Sequence, residues 1–240
     1  MVMLLAGKKV FVTGATRGIG CAIAKAFRAE GAWVIGTGTS EAVAGDDVCH
    51  EYFCADFTDL DQIRACADFI RQTEPDVLVN NAGINKIAPF AEIALQDFLR
   101  IQQVNVGAPF FLCQAAIPGM KRKGWGRIVG LSSIWGKVSK EYRASYSASK
   151  FALDGLTLAL AIEHGADGIL ANCVAPGFTD TELTHRVLGE EEVQRLMSTV
   201  PVRRMAGVDE IARFVMWLGS PSNTYITGQN IAIDGGFSRA

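Results

Sequence analysis

Short runs rich in β-branched and aromatic residues alternate along the chain with longer segments of helical periodicity. The short runs predict strands at residues 8–13, 32–37, 51–55, 76–80, 126–132, 168–175 and 230–234. The longer segments predict helices at residues 18–30, 59–73, 92–120, 144–165 and 208–219. Because such alternation is typical of parallel strands joined by right-handed crossovers, we predict a single α/β domain over residues 1–240. Its doubly wound parallel sheet has about seven strands, with helices on both faces.

Four unusual stretches directly follow predicted strands. They are TGATRGIG at 13–20, NNAG at 80–83, SS at 132–133 and PGFTDT at 176–181. In open sheets of this kind, ligands bind beyond the carboxyl ends of the strands, near the point where the strand order reverses. We therefore expect these four stretches to meet at one edge of the sheet and to form the ligand site.

The first stretch has the composition of a phosphate-binding turn. Gly14, Gly18 and Gly20 let the backbone turn sharply and let a pyrophosphate approach closely. The helix that begins near Gly18 offers free N–H groups and its positive dipole end to the anion. A tight glycine turn without a ligand is the alternative, but the position after the first strand favours a dinucleotide.

The end of the second predicted strand favours NADP(H) over NAD(H). Sheets that bind NAD usually carry an Asp or Glu there to hold the ribose 2′-hydroxyl, whereas this strand runs into Thr39 and Ser40, with no carboxylate before Glu41. Arg17 from the glycine turn, together with the Thr39 and Ser40 hydroxyls, could bind a 2′-phosphate. The alternative is that Arg17 is a solvated surface arginine.

Tyr146 and Lys150, in the stretch YSASK, lie one turn apart on the predicted helix 144–165. Reduction of a ketone by hydride transfer builds negative charge on its oxygen, so an acid must supply a proton. A nearby ammonium and the positive nicotinamide of an oxidised cofactor both favour phenolate, so we predict that Lys150 lowers the pKa of Tyr146. Ser133 would hydrogen-bond the substrate oxygen. Taken singly, the Tyr–Lys spacing could occur by chance on an exposed helix surface, and Ser133 could be a helix cap.

The composition argues against several classes of function. The chain has 23 basic and 25 acidic residues, so there is no positive excess with which to bind nucleic acid. No segment reaches the ~18 apolar residues of a membrane span. The six cysteines are scattered without metal-ligand spacing, so we expect neither a metal site nor a disulfide framework. We predict a reduced, cytoplasmic protein that binds neither nucleic acid nor membrane.

Together these motifs resemble those of the short-chain dehydrogenase/reductase family, whose domain is Rossmann-like. The resemblance rests on TGATRGIG at 13–20, NNAG at 80–83, Asn105 in QVNV, Ser133 in GLSSIWG, YSASK at 146–150, PGFTDT at 176–181 and ITGQNIAIDGG at 226–236. The motifs are collinear and span nearly the whole chain. Within the family, the chain is most similar to the β-ketoacyl carrier-protein reductase branch.

The resemblance implies a catalytic set of Asn105, Ser133, Tyr146 and Lys150. In it, Lys150 also reaches the nicotinamide ribose, and Asn105 holds a water that relays protons to the lysine; a buried polar bond is the alternative role for Asn105. Asp56 and Phe57 would lie along the adenine, residues 81–83 on the adenosine ribose side, and residues 176–181 over the nicotinamide. The expected cofactor contacts are Gly14, Thr16, Arg17, Gly18, Ile19, Thr39, Asp56, Phe57, Asn81, Ala82, Gly83, Tyr146, Lys150, Pro176, Gly177, Thr179 and Thr181.

Three segments affect how far the resemblance extends. The stretch between Ser40 and Cys54 is shorter than the branch usually has, so we expect the helix between the second and third strands to be lost or reduced to a loop. Residues 134–145 are more charged than a plain fatty acyl chain requires, through Lys137, Lys140, Glu141 and Arg143. Residues 182–206 predict a helical lid that sets substrate specificity. Its arginines 186, 195, 203 and 204 are candidate anion contacts or, alternatively, solvated charges.

The predicted helix 144–165 is apolar on nearly every side, so both its faces need to be covered. Self-association through this helix and residues 95–120 is the simplest cover, and the family resemblance implies a homotetramer, with a homodimer as the smaller assembly. The alternative is burial under another part of the same chain.

These observations predict an oxidoreductase that transfers a hydride between NADP(H) and a ketone or secondary alcohol, with a 3-oxoacyl thioester as a candidate substrate. One alternative is an NAD-dependent sugar or polyol dehydrogenase on the same scaffold. Another is a non-catalytic nucleotide-binding scaffold, against which the intact Ser133, Tyr146 and Lys150 argue. The three histidines fall outside the motifs and receive no role.

Overall fold

Seven parallel strands form one sheet in the computed structural model, which describes residues 3–39, 48–181, 184 and 190–240. The strands are β1 (Lys9–Val12), β2 (Trp33–Gly38), β3 (Glu51–Cys54), β4 (Val77–Asn80), β5 (Gly126–Leu131), β6 (Ile169–Pro176) and β7 (Asn230–Ile233). Their order is β3-β2-β1-β4-β5-β6-β7, so the strand order reverses between β1 and β4. The predicted doubly wound α/β fold is confirmed.

Helices cover both faces of this sheet. They are α1 (Gly18–Ala29), α2 (Leu60–Thr73), α3 (Leu95–Gln102), α4 (Ala108–Lys123), α5 (Ala144–His164), α6 (Glu190–Met197) and α7 (Val208–Leu218). On one face, α1 and α7 bury apolar side chains such as Phe27 and Val215. On the other face, α2 and α4 bury Ile63 and Leu112. The two hydrophobic layers hold the sheet in place and so fix the loops at its carboxyl edge.

The predicted helix 92–120 is not a single α-helix. A π-helical segment, Gln103–Gly107, separates α3 from α4. Pro109 lies just beyond it and has no N–H to donate to the carbonyl oxygen four residues earlier, that of Asn105, so the helix widens there. The widened turn carries the Asn105 side chain, which is buried.

Parts of two predicted segments lie outside the described residues. Between β2 and β3 these are residues 40–47, which include Ser40 and Glu41 and most of the stretch for which we predict a lost helix. In the predicted lid they are residues 182–183 and 185–189, which include Arg186. The remaining part of the lid contains α6, in agreement with the predicted helix.

The outer face of α4 and α5 is apolar and open to solvent. Phe110, Phe151, Leu158 and Ile162 are all exposed large hydrophobic residues, and Ile162 is 76% exposed. A cavity of about 430 Å³ lies between the two helices. No described part of the chain covers this face, so the alternative of burial under the same chain is wrong for these residues.

The sequence predicts no membrane span, no metal site and no disulfide framework, and the described residues bear on all three. None of the helices seen there is long and apolar enough to cross a membrane. Those residues contain no cluster of His, Cys, Asp and Glu side chains that could hold a metal ion. All six cysteines belong to the described part of the chain, and none of them forms a disulfide.

Candidate active site

The glycine turn between β1 and α1 is held by hydrogen bonds from its two neighbouring strands. The Thr37 hydroxyl, on β2, accepts from the Gly14 N–H at 3.0 Å. After β4, the Asn81 side-chain amide donates to the carbonyl oxygens of Thr13, at 2.9 Å, and Gly14, at 3.1 Å. The Thr13 hydroxyl in turn accepts from the N–H groups of Asn81 and Ala82. Three stretches at the carboxyl edge of the sheet are therefore bonded into one rigid unit.

This turn fits a bound pyrophosphate. Gly14 and Gly18 have φ angles of +65° and +54°, which favour glycine. At Gly20, a Cβ atom would lie 2.1 Å from the Gly14 carbonyl oxygen, so no side chain fits. No side chain caps the start of α1, and its first N–H groups are free to bind an anion.

A cleft of about 520 Å³ opens beside the turn and forms what we call the dinucleotide end of the site. The predicted cofactor residues that line it are Gly14, Thr16, Arg17, Gly18, Ile19, Thr39, Asp56, Phe57, Asn81, Ala82, Gly83 and Thr181. Two of them differ from expectation in what their side chains do. The Phe57 ring is 5% exposed and packs mainly in the core, and the Asn81 amide is already bonded to the glycine turn.

A second cleft of about 520 Å³ forms the substrate end of the site. It contains the predicted residues Ser133, Tyr146, Lys150, Pro176, Gly177 and Thr179. Arg17, Ile19, Asn81, Gly83 and Thr181 line both ends, so the two ends form one continuous site. The structure thus brings together three of the four predicted catalytic residues and all the predicted cofactor contacts.

Lys150 is almost fully buried behind this cleft. Its Nζ donates to the carbonyl oxygen of Leu131 at 2.7 Å and lies 5.4 Å from the centroid of the Tyr146 ring. Burial disfavours the charged ammonium and lowers the pKa of Lys150 to about 8. The Leu131 carbonyl therefore holds the lysine ammonium over the Tyr146 ring.

The phenol of Tyr146 has a raised pKa, because burial disfavours the phenolate. A hydrogen bond with the Ser133 hydroxyl and the positive charge of Arg143 both act in the opposite direction and lower this pKa. Arg143 is the cation that acts on the phenol in this arrangement, while the Lys150 ammonium donates to the carbonyl oxygen of Leu131. That Lys150 also lowers the pKa of Tyr146 stays a prediction.

Ser133 has the capping role that was considered as its alternative, while its hydrogen bond to a substrate oxygen stays a prediction. Its hydroxyl caps the short 3₁₀ turn Ile134–Gly136 by accepting from the Trp135 N–H at 3.2 Å. The same hydroxyl interacts with the phenol of Tyr146. The capping bond fixes the position of the Ser133 side chain beside the phenol of Tyr146.

Asn105 lies behind the lysine, separated from it by Gly83. Its Oδ1 accepts from the Ile84 N–H at 2.8 Å, and its Nδ2 donates to the Ile84 carbonyl oxygen at 2.9 Å and to Ser149 at 3.0 Å. A Cβ atom on Gly83 would lie 3.3 Å from Asn105 Oδ1 and 3.5 Å from Lys150 Nζ. The alternative role, a buried polar bond, is present; the proposed water relay stays a prediction.

The walls of the substrate end combine apolar side chains with cations. Trp135, Phe178 and Leu196 line it together with Lys140 and Arg143. Phe237, near the end of the chain, packs edge-on against both Trp135 and Phe178, with ring centroids 6.0 and 5.2 Å away. The part played by Arg143 was missed from the sequence, although its position one helical turn before Tyr146 was a usable signal.

The three lid arginines that the structure describes, at 195, 203 and 204, do not form an anion site in the cleft. Arg204 makes a two-point salt bridge with Glu210, at 2.6 and 2.9 Å, and Arg203 donates to the carbonyl oxygen of Ser198. Neither of them lines the cleft, and nor does Arg195. The lid contributes Thr184 and Leu196 to the cleft instead.

Comparisons with known proteins agree with this geometry. A family model described as enoyl-(acyl carrier protein) reductase matches residues 14–238. The 3-oxoacyl-[acyl-carrier-protein] reductase FabG of Escherichia coli K12 is 37% identical over 239 residues, 96% of this chain and 97% of that protein. D-threitol dehydrogenase of Mycolicibacterium smegmatis is 35% identical over 244 residues, 98% of this chain and 94% of that protein. A solved gluconate 5-dehydrogenase from Burkholderia cenocepacia J2315, in complex with NADP and tartrate, matches with a TM-score of 0.91 at 29% identity, covering 100% of this chain and 98% of that one.

Proposed function

This chain belongs to the short-chain dehydrogenase/reductase family, and on that basis we propose that its reaction takes place between Ser133 and Tyr146, with NADP(H) as the cofactor. The chain is an oxidoreductase that acts on CH–OH or C=O groups with a nicotinamide cofactor. The observation that carries the proposal is the pairing of these two hydroxyls on one wall of the substrate end. Two donors on one side of a cleft suit a single carbonyl oxygen.

In the reduction, the Ser133 hydroxyl donates a hydrogen bond to the substrate oxygen and holds it beside the phenol. Tyr146 then gives its proton to that oxygen as negative charge develops there. The raised pKa of Tyr146 keeps the phenol protonated and ready to donate. Bound NADPH supplies the hydride. Lys150 would hold the ribose of the bound cofactor and return a proton to the phenol, and a water held by Asn105 would resupply the lysine.

Arg17 and Thr39 are the proposed contacts of the NADP 2′-phosphate. Both line the dinucleotide end, and a guanidinium is suited to bind a phosphate by two parallel hydrogen bonds. The test is to compare kcat/KM for NADPH and NADH in the wild type and in Arg17→Ala. We expect the variant to lose about tenfold or more with NADPH and little with NADH. Equal losses with both cofactors would assign Arg17 to the pyrophosphate instead.

Two substrate classes are supported by specific observations. Identity of 37% to a 3-oxoacyl-[acyl-carrier-protein] reductase supports a 3-oxoacyl thioester. Likeness to a D-threitol dehydrogenase and a gluconate 5-dehydrogenase supports a polyol or sugar acid, and the cations Lys140 and Arg143 in the cleft wall favour the acid. A screen of NADPH oxidation across 3-oxoacyl thioesters, keto sugars and simple diketones, with NADP reduction by polyols and sugar acids, separates the two classes.

We further propose that the protein is a cytoplasmic homotetramer or homodimer that associates through the outer face of α4 and α5. The exposed apolar side chains of that face support this assembly. A non-catalytic nucleotide-binding scaffold is the remaining alternative; binding of NADPH without turnover of any substrate in the screen would favour it.

A further inference from the structure

Arg143 is a half-buried arginine whose guanidinium has no hydrogen-bond partner among the described residues. It immediately precedes α5 and lines the substrate end of the cleft. Within the described part of the chain, its guanidinium makes no hydrogen bond and no ion pair. Burial lowers the pKa of Arg143, and the charges of Tyr146 and Glu141 counteract this effect only in part. A half-buried guanidinium that makes no hydrogen bond is suited to bind an anion.

The charged residues that line the substrate end with Arg143 are all cations. The cations that line the substrate end are Arg17, Lys140, Arg143 and Lys150, and no described residue there is an Asp or Glu. The nearest carboxylate along the chain, Glu141, has a side chain that is 64% exposed and lies 3.8 Å from the Lys140 ammonium. Lys150 is already bonded to Leu131. Arg143 is therefore the cation at this end best placed to bind an anion.

We propose that Arg143 binds a carboxylate of the substrate, so that the substrate is a short hydroxy acid or keto acid rather than a neutral polyol or a thioester. This inference rests on the proposed function. A guanidinium binds a carboxylate through two parallel hydrogen bonds, and half-burial strengthens that interaction over its value in water. Arg143 and Tyr146 lie one helical turn apart and line the same cleft, so the bound carboxylate lies close to the carbonyl that the phenol protonates. An acid whose carboxylate is only a few bonds from the reacting carbon meets both conditions.

The substrate end also has apolar side chains that suit the carbon skeleton of such an acid. Ile84, Ile87 and Leu196 line it, together with the polar residues Asn85 and Thr184. A compact acid can place its carboxylate on Arg143 and its carbon skeleton against these side chains. Its reacting oxygen then lies at Ser133 and Tyr146.

The test uses three probes that share one four-carbon skeleton of one configuration: threitol, which is neutral, threonate, with one carboxylate, and tartrate, with two. Binding of each to the NADP-loaded full-length protein is measured by calorimetry, and oxidation of threitol and threonate by the formation of NADPH. The proteins are the wild type, Arg143→Gln, Arg143→Lys and, as a control on an exposed helix, Arg64→Gln.

We expect the wild type to bind threonate about tenfold or more tightly than threitol, the usual effect of a hydrogen bond to a charged group. Arg143→Gln should remove that difference while changing threitol affinity by less than about twofold; Arg143→Lys should keep part of it, and Arg64→Gln all of it. Equal binding of threonate and threitol by the wild type overturns the inference. So does an Arg143→Gln variant that weakens both probes alike, as a purely structural role would.

The two measurements separate this inference from the proposed function. Carboxylate binding that depends on Arg143, without turnover of any probe or of any substrate in the wider screen, supports the inference and contradicts the proposed oxidoreductase chemistry of this site. Turnover without any preference for the charged probes supports the proposed chemistry and overturns the inference.

Discussion

The Lys150 ammonium donates a hydrogen bond to the carbonyl oxygen of Leu131 at 2.7 Å. Leu131 ends β5, and Ser133 follows two residues later, so the bond joins the helix that carries Tyr146 to the strand that leads into Ser133. Only 4% of Lys150 is exposed, and burial opposes its charge. The residue therefore positions the site at a cost in folding free energy.

Replacement of Lys150 by Met should abolish turnover and stabilise the fold. The drop in pKa from 10.5 to about 8 corresponds to ~3 kcal/mol of unfavourable burial when the lysine is charged. Loss of the bond to Leu131 costs about 1–2 kcal/mol. We therefore expect a net gain of ~1–2 kcal/mol in the free energy of unfolding at pH 7, measured by urea denaturation.

The pH dependence of the free energy of unfolding tests whether burial of the Lys150 charge causes this gain. Between about pH 8 and 10.5 the unfolded chain keeps the Lys150 proton while the folded protein loses it, so the unfolded state binds more protons and stability rises with pH. The advantage of Lys150→Met over the wild type should therefore shrink across that range. A constant difference, or a less stable variant at pH 7, would show that burial of the charge is not the source.

Replacement of Tyr146 by Phe should lower kcat by about a hundredfold or more, the usual contribution of a general acid, while NADPH still binds. Loss of one hydroxyl removes the proton donor but leaves the ring in place. The matched control is Tyr142→Phe, because that side chain is 52% exposed and does not line the described cleft. Near-normal kcat in Tyr146→Phe, measured by NADPH oxidation, would remove the acid role.

The sequence was sufficient to predict the fold and most of the lining of the site. Strand periodicity located β1 and β4, and the reversal of strand order between them follows from right-handed crossovers that place helices on both faces of the sheet. Short motifs that directly follow strands have little freedom in where they lie. The glycine turn and Ser133 therefore occupy the sheet edge that was expected from the sequence.

The sequence could not show how the charges face one another. Helical spacing put Tyr146 and Lys150 on one side of α5, but the direction of the ammonium depends on the Leu131 carbonyl, which belongs to a distant strand. The effect of Arg143 on the phenol depends on the loop that precedes α5. The π-helical turn around Asn105 likewise arises from a local mismatch in hydrogen bonding.

Replacement of Gly20 by Ala should weaken cofactor binding by about tenfold or more, or prevent folding. The added Cβ atom would lie 2.1 Å from the Gly14 carbonyl oxygen and 2.4 Å from the Asn81 side-chain nitrogen, so the glycine turn must open. Gly165→Ala is the control, because a Cβ atom there meets no atom within 4 Å. Titration of NADPH fluorescence measures affinity, and circular dichroism reports folding. Unchanged affinity in a folded Gly20→Ala protein would contradict the close packing of this turn.

Replacement of Ile162 by Asp should dissociate the proposed oligomer. Ile162 is 76% exposed on the apolar outer face of α4 and α5, and a carboxylate buried there without a partner would cost several kcal/mol per subunit. In a symmetric interface both subunits contribute the same surface. Each contact between two subunits would therefore contain two copies of the substitution. Leu60→Asp, at an exposed apolar position on α2, is the control. Light scattering after size exclusion should give a smaller mass for Ile162→Asp alone. A monomeric wild type, or an Ile162→Asp protein of unchanged mass, would mean that the face has another purpose.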